Sequence, residues 1–410
     1  MRWTILSLLF VATTINYLDR ALLGTLLPEI RKQFELPAST YGNIQSFFQI
    51  AYALGSLYAG WLLDRYGTRI GYGLSAALWS AAAMLNAFAR SAVQFALLRW
   101  LLGLGESANF PACNKGVAEW FPPEQRATSM GIVNCGTNFA NIIGPPMFIW
   151  LATALSWQAC FAIMGGLGFL WLPVWFIAYR ATRKTSLPVQ EGARLPMKEV
   201  LRHKEAWGYA WGKFLTDGVW WFYLFWLPIY LNDVLKLTPV QRGRALSVIY
   251  TISFFGSLLG GVASSTLMKR GWHVGKARKT AMLVCALGMP VCGVLVVSAT
   301  GWYAVTLFGL LTGFHQAWMT NLFTTPSDVF PKQAVASANG FGVCLGGLGG
   351  ALFAALLPGY VIPWAGYGPL FVILALFYPL AWFIVHKMMG NLEQVRLAVP
   401  LEPRPTMQRV

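Results

Sequence analysis

The sequence predicts an all-α membrane protein with twelve transmembrane helices, arranged as two pseudo-symmetric six-helix bundles. Of its 410 residues, 56% are hydrophobic and only 11% are charged, whereas soluble proteins average about 25% charged residues. Apolar runs of about 20 residues, the length that crosses a bilayer, recur along the whole chain. An internal repeat then divides these runs into two sets of six.

The predicted spans define four regions. Residues 1–180 form one bundle, 181–205 a cytoplasmic linker, 206–390 a second bundle and 391–410 a cytoplasmic tail. The linker is predicted because residues 179–205 are the longest polar stretch between apolar runs and are rich in Lys and Arg. The spans are expected near residues 3–28, 41–63, 70–90, 93–116, 127–154, 157–179, 206–232, 241–268, 279–299, 302–326, 334–360 and 366–389.

The net charge of +16 follows the predicted topology. Of the 31 Lys and Arg, 22 lie in the N-terminus, the loops after even-numbered spans and the C-terminal tail, and only six lie in the opposite loops. Positive residues concentrate on the cytoplasmic side of membrane proteins, so we expect both termini in the cytoplasm and no nucleic-acid binding. The chain has no Asn-x-Ser/Thr sequon, which favours a bacterial inner membrane. Its six cysteines show no metal-ligand spacing, and we predict no metal, disulfide or cofactor.

The internal repeat relates residues 119–131 to residues 328–340 at a constant offset. The matched positions are Glu119 with Asp328, Phe121 with Phe330, Pro122 with Pro331, Ala127 with Ala336, Gly131 with Gly340 and Cys135 with Cys344. Parallel six-helix repeats are typical of transporters whose substrate site lies between the halves at mid-membrane.

The first apolar run holds a carboxylate beside a guanidinium, in Asn16-Tyr17-Leu18-Asp19-Arg20. Each such charge costs roughly 2.5–3.5 kcal/mol at the centre of a membrane helix, so these residues normally face a polar cavity and mark a pathway. Successive helical residues are about 100° apart, which places Tyr17 and Arg20 on one face and turns Asp19 towards a neighbouring helix. We expect Arg20 to bind an anion and Asp19 to act as a separate proton site.

The fourth span carries Arg99 and Glu106, nearly two turns apart on one face. The functional interpretation makes Arg99 a second anion ligand and Glu106 a second proton site. The alternative is an internal Arg–Glu ion pair that only holds helices together.

Two further spans carry polar stripes. Amides in hydrocarbon must find polar partners, so the stripes either line a wet cavity and bind substrate hydroxyls or form hydrogen bonds between helices. The candidate cavity residues are Gln49 and Tyr52, in line with Gln45 and Ser56 on span two, and Asn134, in line with Asn138 and Asn141 on span five.

The second half offers weaker candidates. Lys213 and Asp217 lie one turn apart on span seven with Trp220 close to their face, and they either form a pocket wall or neutralise each other. Trp221 and Tyr223 are consistent with packing or an interfacial aromatic belt. On span ten, Trp318 and Asn321 are three residues apart and are expected to converge on the site, whereas His315 is predicted to be a helix-contact histidine.

The loop between spans two and three reads Gly-Trp-Leu-Leu-Asp64-Arg65-Tyr-Gly67-Thr68-Arg69. It resembles the Gly-x3-Asp-Arg-x-Gly-Arg signature of the major facilitator superfamily, with Thr68 where that pattern prefers Arg. The resemblance implies that Asp64, Arg65 and Arg69 gate the cytoplasmic face. The alternative is that the arginines only anchor the topology.

Three stretches resemble the anion:cation symporter branch of this superfamily: residues 16–20, residues 99–111 and residues 119–126. The resemblance implies that Arg20 and Arg99 bind a substrate carboxylate and that Asp19 and Glu106 take part in proton coupling. Residues 212–226 and 315–324 resemble bacterial hexuronate transporters, although Gly218, Met319 and Thr320 depart from their pattern.

The sequence therefore predicts a monomeric secondary transporter that imports a sugar acid, such as galacturonate or glucuronate, by proton symport through alternating access. Sodium is the alternative coupling ion. Alternative substrates are an aldonate such as galactonate or a dicarboxylate, and an anion exchanger on the same fold is the nearest alternative activity. The four histidines are scattered, which argues against a membrane-embedded enzyme. A receptor would bind substrate without moving it.

Overall fold

The computed structural model describes residues 2–121, 123–182, 197–330, 332–393 and 395, and these residues are almost entirely helical. The first half contains α1 (Arg2–Ile30), α2 (Ala38–Leu85), a 3₁₀ turn (Asn86–Phe88), α3 (Ala92–Glu106), α4 (Asn109–Trp120), α5 (Pro123–Ala154) and α6 (Trp157–Thr182). The second half contains α7 (Met197–Val200), α8 (Lys204–Asp233), α9 (Pro239–Lys269), α10 (Val274–Leu295), α11 (Gly301–Leu322), α12 (Thr325–Val329), α13 (Lys332–Gly349), a π-helical stretch (Gly350–Leu356), α14 (Leu357–Ala365) and α15 (Gly368–Met388).

Helix α2 is two antiparallel arms joined at Gly67. The φ of Gly67 is +73°, a left-handed conformation that only glycine adopts readily. The chain folds back there, because a Cβ on Gly71 would lie 3.2 Å from the side chain of Leu63, which a straight helix would hold more than 10 Å away. The fold therefore has separate helices where spans two and three are predicted.

With α2 counted as two arms, and α3–α4 and α13–α14 as one interrupted helix each, the described residues form twelve long helical segments. Within the described ranges, six stretches are both long and apolar enough to cross a membrane: Arg2–Ile30, Trp157–Tyr179, Pro239–Lys269, Val274–Leu295, Ser337–Ala365 and Gly368–Met388. The protein is therefore a multi-pass membrane protein. Twelve crossings and cytoplasmic termini remain predictions.

The helices pack as two groups. Helices α1–α6 contact one another, as do α8–α15, and the groups meet where α1 lies against α8, α2 against α13–α14, and α5 against α9. Helix α1 is central, since every residue from 12 to 27 is buried. The predicted boundaries at 180 and 205 remain predictions, because residues 183–196 lie outside the described part of the chain.

The sequence repeat corresponds to a structural repeat. Glu119 near the end of α4 accepts hydrogen bonds from the Thr68 hydroxyl, at 2.6 Å, and from the Tyr179 hydroxyl. Asp328 near the end of α12 pairs with Arg278 of α10, with Nε and Oδ2 2.6 Å apart. In both halves the acid thus ties a short helix to a neighbouring helix of its own half.

Two ends of the molecule can be distinguished. The Arg2 end contains the start of α1 and, in the second half, the starts of α8 and α10 and the end of α15. The Ile30 end contains the end of α1, the start of α2 and the end of α8. At the Ile30 end the halves approach at backbone distance, because a Cβ on Gly42 would lie 2.5 Å from the carbonyl oxygen of Ala355 and 3.0 Å from Cα of Gly359.

Candidate functional site

Four charged side chains of the first half meet at the centre of the molecule. Asp19 and Arg20 come from α1, and Arg99 and Glu106 come from α3; all are at most 2% exposed. Nε of Arg20 donates to Oε2 of Glu106 at 2.5 Å. Arg99 donates to the backbone carbonyl of Asp19 at 3.4 Å, and the Asp19 carboxylate interacts electrostatically with both arginines and with Glu106.

The ion pair differs from one of the two sequence interpretations of Glu106, and the role of Glu106 as a proton site stays a prediction. The alternative in which Glu106 pairs with Arg99 on its own helix is wrong, because its ion-pair partner is Arg20 of α1. Arg20 therefore cannot offer its whole guanidinium to an anion, because one edge is occupied by the Glu106 carboxylate.

The cluster is only partly satisfied. Within the described residues, no hydrogen-bond partner is found for Nη1 and Nη2 of Arg20, Nε and Nη2 of Arg99, Oε1 of Glu106 or either carboxylate oxygen of Asp19. The same is true of both amide atoms of Asn16 and Gln49. Buried polar groups normally have partners, so a set of orphaned atoms at one place indicates a site that receives a polar ligand or water.

Aromatic rings surround the Arg20 guanidinium. Its Cζ lies 4.7 Å from the ring centre of Tyr17 and 4.4 Å from that of Tyr52. The third ring, Trp221 at 5.2 Å, comes from α8 of the second half. The sequence is consistent with packing or an interfacial belt for Trp221, whereas the structure places its ring beside the Arg20 guanidinium.

The polar stripes become more exposed towards the Arg2 end. Along α2, Gln45 and Gln49 are fully buried, Tyr52 is slightly exposed and Ser56 more so. Along α5, Asn141 and Asn138 are buried and Asn134 is exposed. Each stripe thus runs from the sealed centre to a more exposed position nearer the Arg2 end.

Charged contacts between the halves close the Ile30 end. Glu29 accepts from Arg242 at 2.5 Å, and Nη1 of Arg31 lies 3.0 Å from Oδ2 of Asp233. Closer to the centre, the Tyr41 hydroxyl donates to the carbonyl oxygen of Phe225 at 3.0 Å. Each contact joins α1, the residue that follows it, or α2 of one half to α8 or α9 of the other.

In the second half, Lys213 and Asp217 form an ion pair along α8, with Nζ and Oδ2 2.8 Å apart. Lys213 also lies 4.2 Å from the ring centre of Phe323. The Asp217 carboxylate interacts electrostatically with Tyr17 of α1, so this pair borders the first-half cluster. The sequence left open whether Lys213 and Asp217 form a pocket wall or neutralise each other. In the structure they form an ion pair and so neutralise each other.

The other second-half candidates make contacts within their own half, although Nε1 of Trp318 and Oδ1 of Asn321 have no hydrogen-bond partner among the described residues. Trp220 stacks on His315, with ring centres 5.2 Å apart, and His315 Nδ1 hydrogen-bonds the Tyr378 hydroxyl, as expected for a helix-contact histidine. Trp318 is fully buried against Tyr378. The Asn321 amide donates to the carbonyl oxygens of Gly260 and Ala317, both at 3.0 Å, and so holds α11 to α9.

The predicted gating residues lie at the Arg2 end. Arg65 is exposed beside the Tyr66 ring. Arg69 donates to the carbonyl oxygen of Phe176 at 3.1 Å and lies over the Phe176 ring. The side chain of Asp64 lies outside the described residues.

Two bacterial sugar-acid transporters are similar to this chain over nearly their whole length. The hexuronate transporter of Escherichia coli strain K12 is 27% identical over all of this chain and 98% of its own length. The D-galactonate transporter of E. coli O6:H1 strain CFT073 is 28% identical over 91% of this chain and 92% of its own.

Among solved structures, a bacterial homolog of the human lysosomal transporter Spinster, in an inward-facing and occupied conformation, superposes with a TM-score of 0.74. It is 16% identical and covers 95% of this chain and 97% of its own length, so it bears on the fold alone. The model of the Major Facilitator Superfamily matches residues 9–354. The chain therefore belongs to the Major Facilitator Superfamily, a family of membrane transporters.

Proposed function

We propose that this protein imports a sugar acid together with a proton by alternating access, with a hexuronate such as galacturonate or glucuronate as substrate. The observation that carries the proposal is the buried cluster of two arginines and two carboxylates, in which several donors have no partner among the described residues. The hexuronate and galactonate transporters among the relatives support the substrate class.

A carboxylate is the ligand that these donors fit best. A guanidinium presents parallel N–H groups that bind a carboxylate through two hydrogen bonds, and Arg20 and Arg99 both offer unpartnered nitrogens. The rings of Tyr17, Tyr52 and Trp221 can cover the apolar face of a sugar. The unpartnered amides of Asn16 and Gln49 can bind its hydroxyls.

The charge balance explains why a proton would accompany the anion. Two arginines and two ionised carboxylates sum to zero, and burying an uncompensated charge is costly. An incoming carboxylate would make the cluster negative unless Glu106 or Asp19 binds a proton. A sodium ion held by the two carboxylates would restore the same balance and is the alternative coupling ion.

The conformation supports alternating access. The polar stripes lead from the site towards the Arg2 end, and the halves are held together at the Ile30 end by Glu29–Arg242 and Arg31–Asp233. If the Arg2 end is cytoplasmic, as the charge distribution predicts, this conformation releases substrate to the cytoplasm. Uptake would then require these ion pairs to separate in the opposite conformation.

Transport by proteoliposomes tests the proposal. We expect the purified protein to accumulate labelled galacturonate when an acidic exterior is imposed and to accumulate none without a gradient. Accumulation driven equally well by a sodium gradient at constant pH would replace the proton with sodium. Uptake that responds to neither gradient but requires an internal anion would show an exchanger.

The same vesicles separate the candidate substrates. Unlabelled galacturonate, glucuronate, galactonate and a sugar dicarboxylate are added in turn as competitors. We expect the two hexuronates to inhibit uptake most strongly. Stronger inhibition by galactonate or the dicarboxylate would reassign the substrate and keep the transport mechanism.

A further inference from the structure

A cavity of about 430 Å³ lies at the Arg2 end of the second half, outside the central site. Its size falls within the range of about 300–1,000 Å³ typical of small-ligand sites. It lies between the start of α10, the end of α15 and the residues that follow α15. Its walls include Lys276, Lys279, Thr280, Trp382, His386 and Glu393.

The two lysines give the cavity cationic walls. Lys279 is 8% exposed, and its ammonium donates to the carbonyl oxygens of His386 and Gly390, which leaves one of its three donors. Lys276 is exposed, with Nζ 4.6 Å from the ring centre of Trp272. Neither lysine pairs with a carboxylate in the described part of the chain, and the acidic residue of the wall, Glu393, is exposed.

Apolar side chains continue from the cavity along both helices. Helices α10 and α15 pack against each other, and each has an outward row of side chains that are about half exposed or more. The rows are Val284, Leu287 and Val291 on α10, and Leu376, Leu380 and Phe383 on α15. Both helices are apolar enough to cross a membrane, so these rows face lipid chains while the cavity lies at the membrane surface.

We propose that this cavity binds the phosphate headgroup of an anionic phospholipid, with Lys276 and Lys279 as its ligands. The acyl chains would lie along the two apolar rows. Basic pockets between membrane helices on the cytoplasmic side bind such headgroups, and each lysine near the surface contributes about 1 kcal/mol. The apolar rows favour a lipid over free inorganic phosphate, which has the same anionic group and no chains. The proposal is independent of the transported substrate.

Native mass spectrometry of the full-length protein in detergent tests the proposal, with phosphatidylglycerol, cardiolipin or phosphatidylcholine added. We expect the two anionic lipids to bind and phosphatidylcholine to bind weakly. Lys276→Gln combined with Lys279→Gln should reduce anionic-lipid binding about tenfold or more. Inorganic phosphate in large excess should not displace the bound lipid.

Matched variants distinguish specific binding in the cavity from nonspecific attraction of anionic lipid to positive charge. Lys198→Gln with Lys204→Gln removes the same charge from exposed positions at the same end and should leave lipid binding unchanged. Thr280→Phe keeps both lysines but fills the cavity, and should lose lipid binding. Lys276→Gln alone changes an exposed residue, so it reports on binding even if the Lys279 variant fails to fold.

The proposal would be overturned if the Lys198/Lys204 control lost as much lipid as the Lys276/Lys279 variant. It would also be overturned if Lys276→Gln and Thr280→Phe both bound lipid like the wild type. Complete displacement by inorganic phosphate would assign the cavity to a free anion instead of a lipid.

Discussion

The two halves of the molecule bury charged side chains on either side of the same interface, but they leave those charges in different states. In the second half, Lys213 and Asp217 neutralise each other along one helix, and only Oδ1 of this pair lacks a hydrogen-bond partner among the described residues. In the first half, Arg20 pairs with Glu106 across two helices while Arg99 and Asp19 keep unpartnered atoms. Under the proposed function, the first half would bind the charge of the substrate and the second half would supply shape.

The largest effect is expected from breaking the first-half ion pair. Arg20→Ala removes a ligand and leaves Glu106 buried without its cation, a change that typically costs 3–5 kcal/mol. We expect galacturonate binding to fall by more than about 100-fold, measured by equilibrium binding to the purified protein. Arg20→Lys should recover only part of it, because lysine lacks the two parallel donors.

The combination of Arg20→Ala with Glu106→Gln separates folding from binding. The double variant no longer buries an unpaired charge, so its unfolding temperature should recover towards that of the wild type while binding stays lost. Recovery of binding in this variant would show that Arg20 serves only to neutralise Glu106.

The coupling role of the first half is tested by Glu106→Gln alone. We expect this variant to exchange labelled for unlabelled galacturonate across the vesicle membrane but to lose accumulation driven by a pH gradient. One coupled proton gives about tenfold accumulation per pH unit of gradient, since tenfold corresponds to about 1.4 kcal/mol. Wild-type accumulation by Glu106→Gln would assign coupling to Asp19 or to sodium.

The second-half pair should respond differently to single and double changes. Lys213→Met leaves Asp217 without its cation and should lower stability, whereas Lys213→Met with Asp217→Asn should restore most of it. Because the pair is neutral as a unit, we expect the double variant to keep uptake within about fivefold of wild type. Loss of uptake as complete as in Arg20→Ala would remove the difference between the halves.

The smallest effect is expected at the Ile30 end, where Asp233→Asn weakens the ion pair between Arg31 and Asp233. Both partners of this pair are partly exposed. Such a pair contributes about 1 kcal/mol or less, so the balance between conformations should shift by about fivefold at most. Cysteine labelling from outside at an engineered position in the site would measure it. Glu205→Gln, at the opposite end, is a matched control that should leave labelling unchanged.

The sequence predicts the helical fold and the first-half charges well, because both depend on local composition. A charge inside an apolar run is conspicuous, and Asp19, Arg20, Arg99 and Glu106 all lie at the centre of the structure. The partner of Glu106 could not be predicted, because it depends on where α1 and α3 lie relative to each other in the fold. The position of Trp221 beside Arg20 could not be predicted either. In an apolar helix, the sequence does not distinguish an aromatic residue that packs from one that lines a site.

The roles of polar residues were hardest to predict where backbone carbonyl groups, and not a substrate, take their hydrogen bonds. Asn321 has the composition of a substrate ligand, but its amide hydrogens are held by two carbonyl oxygens, one of them on α9. Helix α9 approaches closely there because Gly260 has no side chain, as a Cβ at this position would lie 2.5 Å from Cα of Ala317. Only the packing of the two helices reveals which partner the asparagine takes.

The two halves touch backbone to backbone at Gly42, so adding a single methyl group there would shift the balance between the two conformations. Alanine at this position would force the carbonyl of Ala355 and the backbone of Gly359 away. The two halves would then be pushed apart at the Ile30 end. The alanine would disfavour only the conformation in which the halves touch there, leaving every charged residue of the site unchanged. Gly42→Ala is thus a substitution with which the opposite-facing form could be enriched for structure determination.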